Sequence, residues 1–66
     1  MRVNLKCLRI KHKLNQGEIA RILNVSRGQY LAIENGKSNG SMNFWQAIQK
    51  VFGVPDSEMW ELMKCE

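Results

Sequence analysis

The sequence predicts an all-α fold, a single domain over residues 1–66 built from five short helices. Three observations lead there. No window alternates apolar and polar residues convincingly with period two, so strands are not expected. Apolar residues recur instead at three- and four-residue intervals. Asn, Ser, Gly and Pro fall where helices of ordinary length start and stop. A chain of 66 residues buries only about 60% of its unfolded surface, so it depends on efficient packing, a covalent staple or a partner chain. Its hydrophobic content of 44% suffices for a core, and there is no repeat, low-complexity tract or linker.

The first helix is expected over roughly Asn4 to His12, with Leu5, Leu8 and His12 on one side. His12 suits a last turn, where positive charge meets the helix dipole, and no catalytic role is assigned to it. The second helix opens at Asn15, an N-cap residue type, and Glu18 three positions on completes a capping-box pattern. Ile19, Ala20 and Leu23 share its inner face, and Asn24 is a residue type that tolerates the left-handed conformation that ends a helix. Ser26 caps the third helix, which buries Tyr30 and Ile33 and stops at Asn35-Gly36. Ser41 opens the fourth, with Met42, Trp45, Ile48 and Phe52 as its inner stripe and Gly53 as its end. Pro55 marks the start of the fifth, whose apolar residues are Met59, Leu62 and Met63.

Several function classes fall away on composition. No apolar run approaches the ~18–20 residues of a membrane span. The opening "MRVNLKCLRIKHK" is interrupted by charge too often for a signal peptide. Cys7, Cys65 and the single His12 make no zinc-site spacing, so no metal is expected. A bridge between the two cysteines would need an oxidising compartment, and reduced cytoplasmic thiols are the preferred reading. With no Gly-rich phosphate loop, no acidic cluster in the first half and no Ser/Cys–His pairing, the chain is read as non-enzymatic, without catalytic residues or cofactors.

Charge is unevenly placed. Residues 1–37 carry eight Lys/Arg (Arg2, Lys6, Arg9, Lys11, Lys13, Arg21, Arg27, Lys37) against Glu18 and Glu34, a net of +6. Residues 38–66 carry Lys50 and Lys64 against Asp56, Glu58, Glu61 and Glu66, a net of −2. That asymmetry fits a first half that faces a polyanion, although solvated charged faces are common. Only Asn24-Val25-Ser26 separates helices two and three, so the two must cross steeply with Val25 plugging the gap. Such a pair is a helix-turn-helix, in which the third helix enters the DNA major groove and the second crosses the backbone above it.

At these residues the sequence resembles a known family. "LNQGEIARILNVSRGQYLAIENGKSNGS" is similar to the helix-turn-helix of the Xre/Cro/C1-type family, phage repressors and Cro relatives that bind operator DNA. The resemblance extends from "LKCLR" through "FGVPDSEMW" and is most specific at Asn15-Gln16, Glu18, Ala20, Asn24-Val25-Ser26-Arg27 and Ile33-Glu34-Asn35-Gly36-Lys37. It implies a five-helix, lambda-repressor-like domain. Carried over position by position, it assigns base readout to Arg27, Gly28, Gln29 and Ala32. Arg27 stands at the first outward position, where its fork suits guanine, and Gln29 reaches either a base edge or a phosphate. Ala32 offers only a methyl contact to thymine. Phosphate contacts fall to Gln16, Gly17 and Ser26 and to Asn35, Lys37, Ser38 and Asn39 in the following loop. Arg9 and Glu34 match an internal salt bridge.

Four positions depart from the family pattern. Gly28 stands where a base-contacting side chain is usual, so either the backbone approaches DNA closely or one base goes unread. Leu31 replaces a small polar residue, Ile22 a charged one, and Gly40 a frequent proline, which points to a looser backbone-contacting loop.

The second half carries surplus apolar weight in Phe44, Trp45, Phe52, Met59, Trp60, Leu62 and Met63. Such a stripe is more often core than cofactor box. On the fifth helix, however, Met59, Trp60 and Met63 spread over more than one side, which marks a partner surface. A homodimer through them would set two recognition helices about one DNA turn, ~34 Å, apart on a palindromic operator. The resulting expectation is a Cro-like repressor of transcription, cytoplasmic, bound to double-stranded DNA and to no membrane. The alternative is an antitoxin-like or regulatory module whose main partner is another protein.

Overall fold

The structure, a computed structural model, describes residues 1–65 and folds them into α1 (Val3–Lys11), α2 (Gln16–Ile22), α3 (Arg27–Glu34), α4 (Met42–Phe52) and α5 (Asp56–Met63). Glu66, the last residue of the expected domain, lies outside the described residues. All five helices fall where the punctuation places them. The first begins one residue early, at Val3, because the Arg2 backbone N–H donates to the Glu34 carbonyl at 2.7 Å and fixes the chain there.

Three helices start on the caps that the residue types dictate. Asn15 Oδ1 accepts from the Glu18 N–H at 2.7 Å while Glu18 Oε1 accepts from the Asn15 N–H at 2.9 Å. Ser26 and Gln29 repeat this reciprocal box at 3.1 and 2.9 Å, and Ser41 Oγ accepts from the Phe44 N–H at 3.1 Å. Each box satisfies two N–H groups that a helix start leaves unpaired.

The ends share one motif. After α1, α2 and α3 a residue turns left-handed, at Lys13 (φ 58), Asn24 (φ 59) and Gly36 (φ 83). Its N–H and the next N–H fold back onto the helix: Lys13 to Ile10 and Leu14 to Arg9, Asn24 to Arg21 and Val25 to Ala20, Gly36 to Ile33 and Lys37 to Ala32. These paired bonds close the last turn and use otherwise orphaned carbonyls. Gly53 (φ 64) ends α4 with Val54 bonded back to Gln49. The residue after the turn then packs on the core as Leu14, Val25 and Val54. After α3 it is Lys37, which is exposed.

The core gathers Leu5 of α1, Ile19 and Ala20 of α2, Leu23, Tyr30 and Ile33 of α3, Phe44, Trp45 and Ile48 of α4, and Leu62 of α5. Phe44 meets Trp45 edge-on at 4.9 Å and lies 6.3 Å from Tyr30. Burying such side chains is worth about 1.5–3 kcal/mol each and supplies most of the driving force. Met42 departs from the expected inner stripe: it stands on the first turn of α4, beyond the edge of the core, and is 75% exposed. Phe44 takes the inward position instead. Cys7 and Cys65 are exposed free thiols.

Candidate nucleic-acid interface

The turn between α2 and α3 places the start of α3 at the surface. Arg27, Gly28 and Gln29 are exposed, while Tyr30 and Ile33 on the opposite side are buried. Arg27 makes no bond to another side chain among the described residues, so its guanidinium is available to a ligand. It faces a shallow polar notch with Arg9, Asn15, Gln16 and Gly17, which brings it beside the first turn of α2. Gln16 and Gly17 are half-buried there, with their backbone N–H groups at the helix start, where partial positive charge favours an anion.

Gln29 has less freedom than its sequence suggests. Its Oε1 accepts the Ser26 backbone N–H, and only an oxygen can do so. The amide keeps both NH2 hydrogens and the second lone pair of Oε1 for other partners. The NH2 suits a phosphate oxygen or the acceptor edges of guanine and thymine. Ser26 Oγ accepts the Gln29 N–H in its cap, which leaves the hydroxyl hydrogen free to donate to a phosphate oxygen. Gly28 stands in open space, with nothing within 4 Å of where a Cβ would lie. Ala32 is half-buried and lines a second cleft with Gln29, Ser38, Asn39 and Ser41.

Beyond α3, Asn35, Lys37, Ser38 and Asn39 are all exposed. The carbonyls of this loop point inward: Ser38 O accepts from Arg2 Nη1 at 2.7 Å and Asn39 O from Trp45 Nε1 at 3.0 Å. Gly40 lets the loop lie flat on the indole, since its φ is +76° and a Cβ there would come within 2.9 Å of Trp45 Nε1. The loop is thus tethered where sequence reasoning expected it loose.

Behind α3, Arg9 donates to both oxygens of Glu34, from Nε at 3.2 Å and Nη2 at 3.3 Å, and from Nη1 to the Leu14 carbonyl at 3.0 Å. Burial works against the Arg9 charge, but the bond to Glu34 and its attraction outweigh it and hold the pKa above its ordinary value. The Tyr30 hydroxyl lies beside this pair, buried and without a well-formed hydrogen bond among the described residues. Burial first, then the Glu34 carboxylate, push its pKa up, with Arg9 opposing.

Two of the eight cations counted in the basic first half are therefore spent internally. Arg9 is paired, and Arg2, 4% exposed, is a residue whose role sequence reasoning missed. Its position before α1 gave no signal of burial. On the far side, Met59 is half-buried against the core, while Trp60 and Met63 are 61% and 43% exposed. Met59 and Met63 line an apolar cleft with Met42 and Trp45; Trp60 stands outside it. No group of three or more His, Cys, Asp or Glu among the described residues gathers to hold a metal, and no helix among them is long and apolar enough to cross a membrane.

Comparison with known families matches one described as helix-turn-helix over residues 5–59. Among curated proteins, the chain is 33% identical over 55 residues to the transcriptional repressor RstR of the cryptic phage CTXphi from Vibrio cholerae, covering 83% of this chain and 50% of the repressor. It is 43% identical over 54 residues to an HTH-type transcriptional regulator of Methanocaldococcus jannaschii, itself uncharacterized, covering 82% of each. The chain thus spans about half the length of one relative and most of the other. No solved structure matches it significantly.

Proposed function

The chain belongs to the helix-turn-helix family, and from that premise we propose that it is a non-enzymatic regulator of transcription that binds double-stranded DNA in the cytoplasm. The observation that carries this reading is the row of unspent donors along one edge. Arg27, the NH2 of Gln29, and Lys37 with Ser38 and Asn39 lie on the exposed side of α3 and its loop, over a core sealed by Tyr30 and Ile33. Lys37 is telling, because it occupies the position that Leu14, Val25 and Val54 use to plug the core after the other helices. A polar donor kept there, where an apolar residue would stabilise the fold, fits a backbone phosphate.

In this reading α3 lies in the major groove. Arg27 contacts a guanine edge, Gln29 a base acceptor or phosphate, and Ala32 a thymine methyl. Gln16 and Gly17 hold one flanking phosphate and the loop from Asn35 to Asn39 another. Two copies joined through Met59, Trp60 and Met63 would read a palindromic operator and repress by occlusion. The exposed apolar side chains of α5 and Met42 also favour a second reading, in which that surface receives another protein.

Selection of bound sequences from a random duplex pool, near physiological salt, separates these readings. An inverted repeat with half-sites about one turn apart is expected for the dimeric regulator. A single unrepeated site would remove the dimer. No enrichment by folded protein would replace the DNA reading with the protein-partner one.

A further inference from the structure

We propose that Arg2, together with Trp45, is the positioning residue of the DNA-backbone loop, holding residues 37–40 in place from beneath. The proposal rests on the DNA-binding reading above and adds a residue that no family motif marks. Arg2 is a buried cation with no carboxylate partner among the described residues. Its guanidinium instead collects carbonyls: Ile33 O at 2.5 Å, Ser38 O at 2.7 Å and, through Nε, Met63 O at 3.0 Å. It also lies over the Trp45 ring, 5.5 Å from the centroid. A buried charge is tolerated only where such bonds compensate its lost hydration.

Three features make this arrangement specific to the loop. After α1, α2 and α4 an apolar residue anchors the exit, but after α3 Lys37 does not, so past the backbone bonds of Lys37 and Ser38 to Ala32 the loop depends on other contacts. Two successive carbonyls, Ser38 and Asn39, are drawn inward by Arg2 and Trp45, which turns acceptors away from the phosphates. The Asn39 N–H is left without a partner among the described residues, available to a phosphate oxygen. Arg2 also sits at the C-terminal end of α3, where a cation complements the helix dipole. The same guanidinium reaches the last residue of α5, so the loop is held relative to both helices.

The test compares wild type, Arg2→Gln and Trp45→Phe, each with and without Lys37→Ala, on a mixed-sequence duplex of about two turns, ~21 bp. Binding is followed against salt, folding by circular dichroism, and loop order by amide hydrogen exchange. Lys37→Ala in the wild type should lower the log–log salt slope by about 0.9, the share of one phosphate. Arg2→Gln and Trp45→Phe should lower it as much or more, should speed exchange at residues 37–40 ahead of α2 and α3, and should leave Lys37→Ala with little further effect. If Arg2→Gln does not fold, Trp45→Phe, which keeps one aromatic ring and loses the indole N–H with part of the ring volume, carries the test. An unchanged slope, or a full Lys37→Ala effect in both variants, would overturn the proposal. Absence of salt-dependent binding by wild type would instead refute the DNA reading. In that case loop exchange alone decides the tether: faster exchange in the variants keeps it, unchanged exchange removes it.

Discussion

The two ends of α3 are built differently. Its start is fixed by neighbours in sequence, Ser26 and Gln29, three residues apart. Its end adds to the local bonds of Gly36 and Lys37 a set that runs across the chain: Arg9 to Glu34 spans 25 residues, Arg2 to Ile33 spans 31 and Arg2 to Ser38 spans 36. Local bonds form with the helix itself and cost little to place. Long-range bonds form only once the core has brought α1, α4 and α5 around α3. The end that carries the tethered loop is therefore the end that depends on the whole fold.

Breaking the long-range end should cost the most. Removing one partner of the buried Arg9–Glu34 pair by Glu34→Ala should cost about 3–5 kcal/mol, because the remaining charge is stranded. Against a typical total of about 5–15 kcal/mol, denaturant unfolding should show most of the stability lost. A loss comparable to that of a helix cap would show the pair to be solvated and the comparison false.

The same end should respond to alkali. Tyr30 is the single tyrosine, so tyrosinate absorbance reports it alone. Its folded pKa is raised above the ordinary value of about 10, so the folded state keeps its proton where the unfolded state loses it. Stability is thus intact below pH of about 10 and falls as pH rises beyond it. The absorbance change should coincide with unfolding measured by circular dichroism. Ionisation near the ordinary value in a still-folded chain would contradict the buried placement.

Breaking the local end should cost less. Ser26→Ala removes one side of a capping box and should destabilise by about 1 kcal/mol, with amide exchange rising at the first turn of α3 and not at Glu34. The smallest effect sharpens the comparison of helix ends. Lys13 holds a left-handed conformation that Gly36 and Gly53 adopt without steric cost. Lys13→Gly should raise stability by a few tenths of a kcal/mol, roughly 0.5, as relief of strain narrowly exceeds the added unfolded entropy. A clear loss would mean that the Lys13 side chain contributes contacts of its own.

Legibility in the sequence follows the same division. Asn15, Ser26 and Ser41 announced their caps, and Asn24, Gly36 and Gly53 their ends, because those residue types satisfy local backbone needs wherever they occur. Lys13 gave no such warning, since lysine has no preference for positive φ. The inward face of α3 followed from the spacing of Tyr30 and Ile33. Met42 was misread because periodicity places a residue on a face without saying where the core stops. Arg2 was counted as surface charge: an arginine's burial depends on carbonyls contributed by residues up to 61 positions away. Gly40 carried a signal that pointed the wrong way, because its close approach to Trp45 is visible only once the loop is folded.

In the proposed DNA complex the start of α3 reads bases while its end and the loop hold the backbone. The most direct test measures Arg27→Ala and Lys37→Ala on the sequence that wild type selects and on an unrelated duplex. Arg27→Ala should reduce the preference between the two DNAs by roughly 5- to 150-fold, the equivalent of about 1–3 kcal/mol, with little change on the unrelated duplex. Lys37→Ala should weaken both alike and lower the salt slope by about 0.9. If Arg27→Ala weakens both DNAs equally, Arg27 is a phosphate contact in the notch beside Gln16, and the division of roles along the helix is wrong.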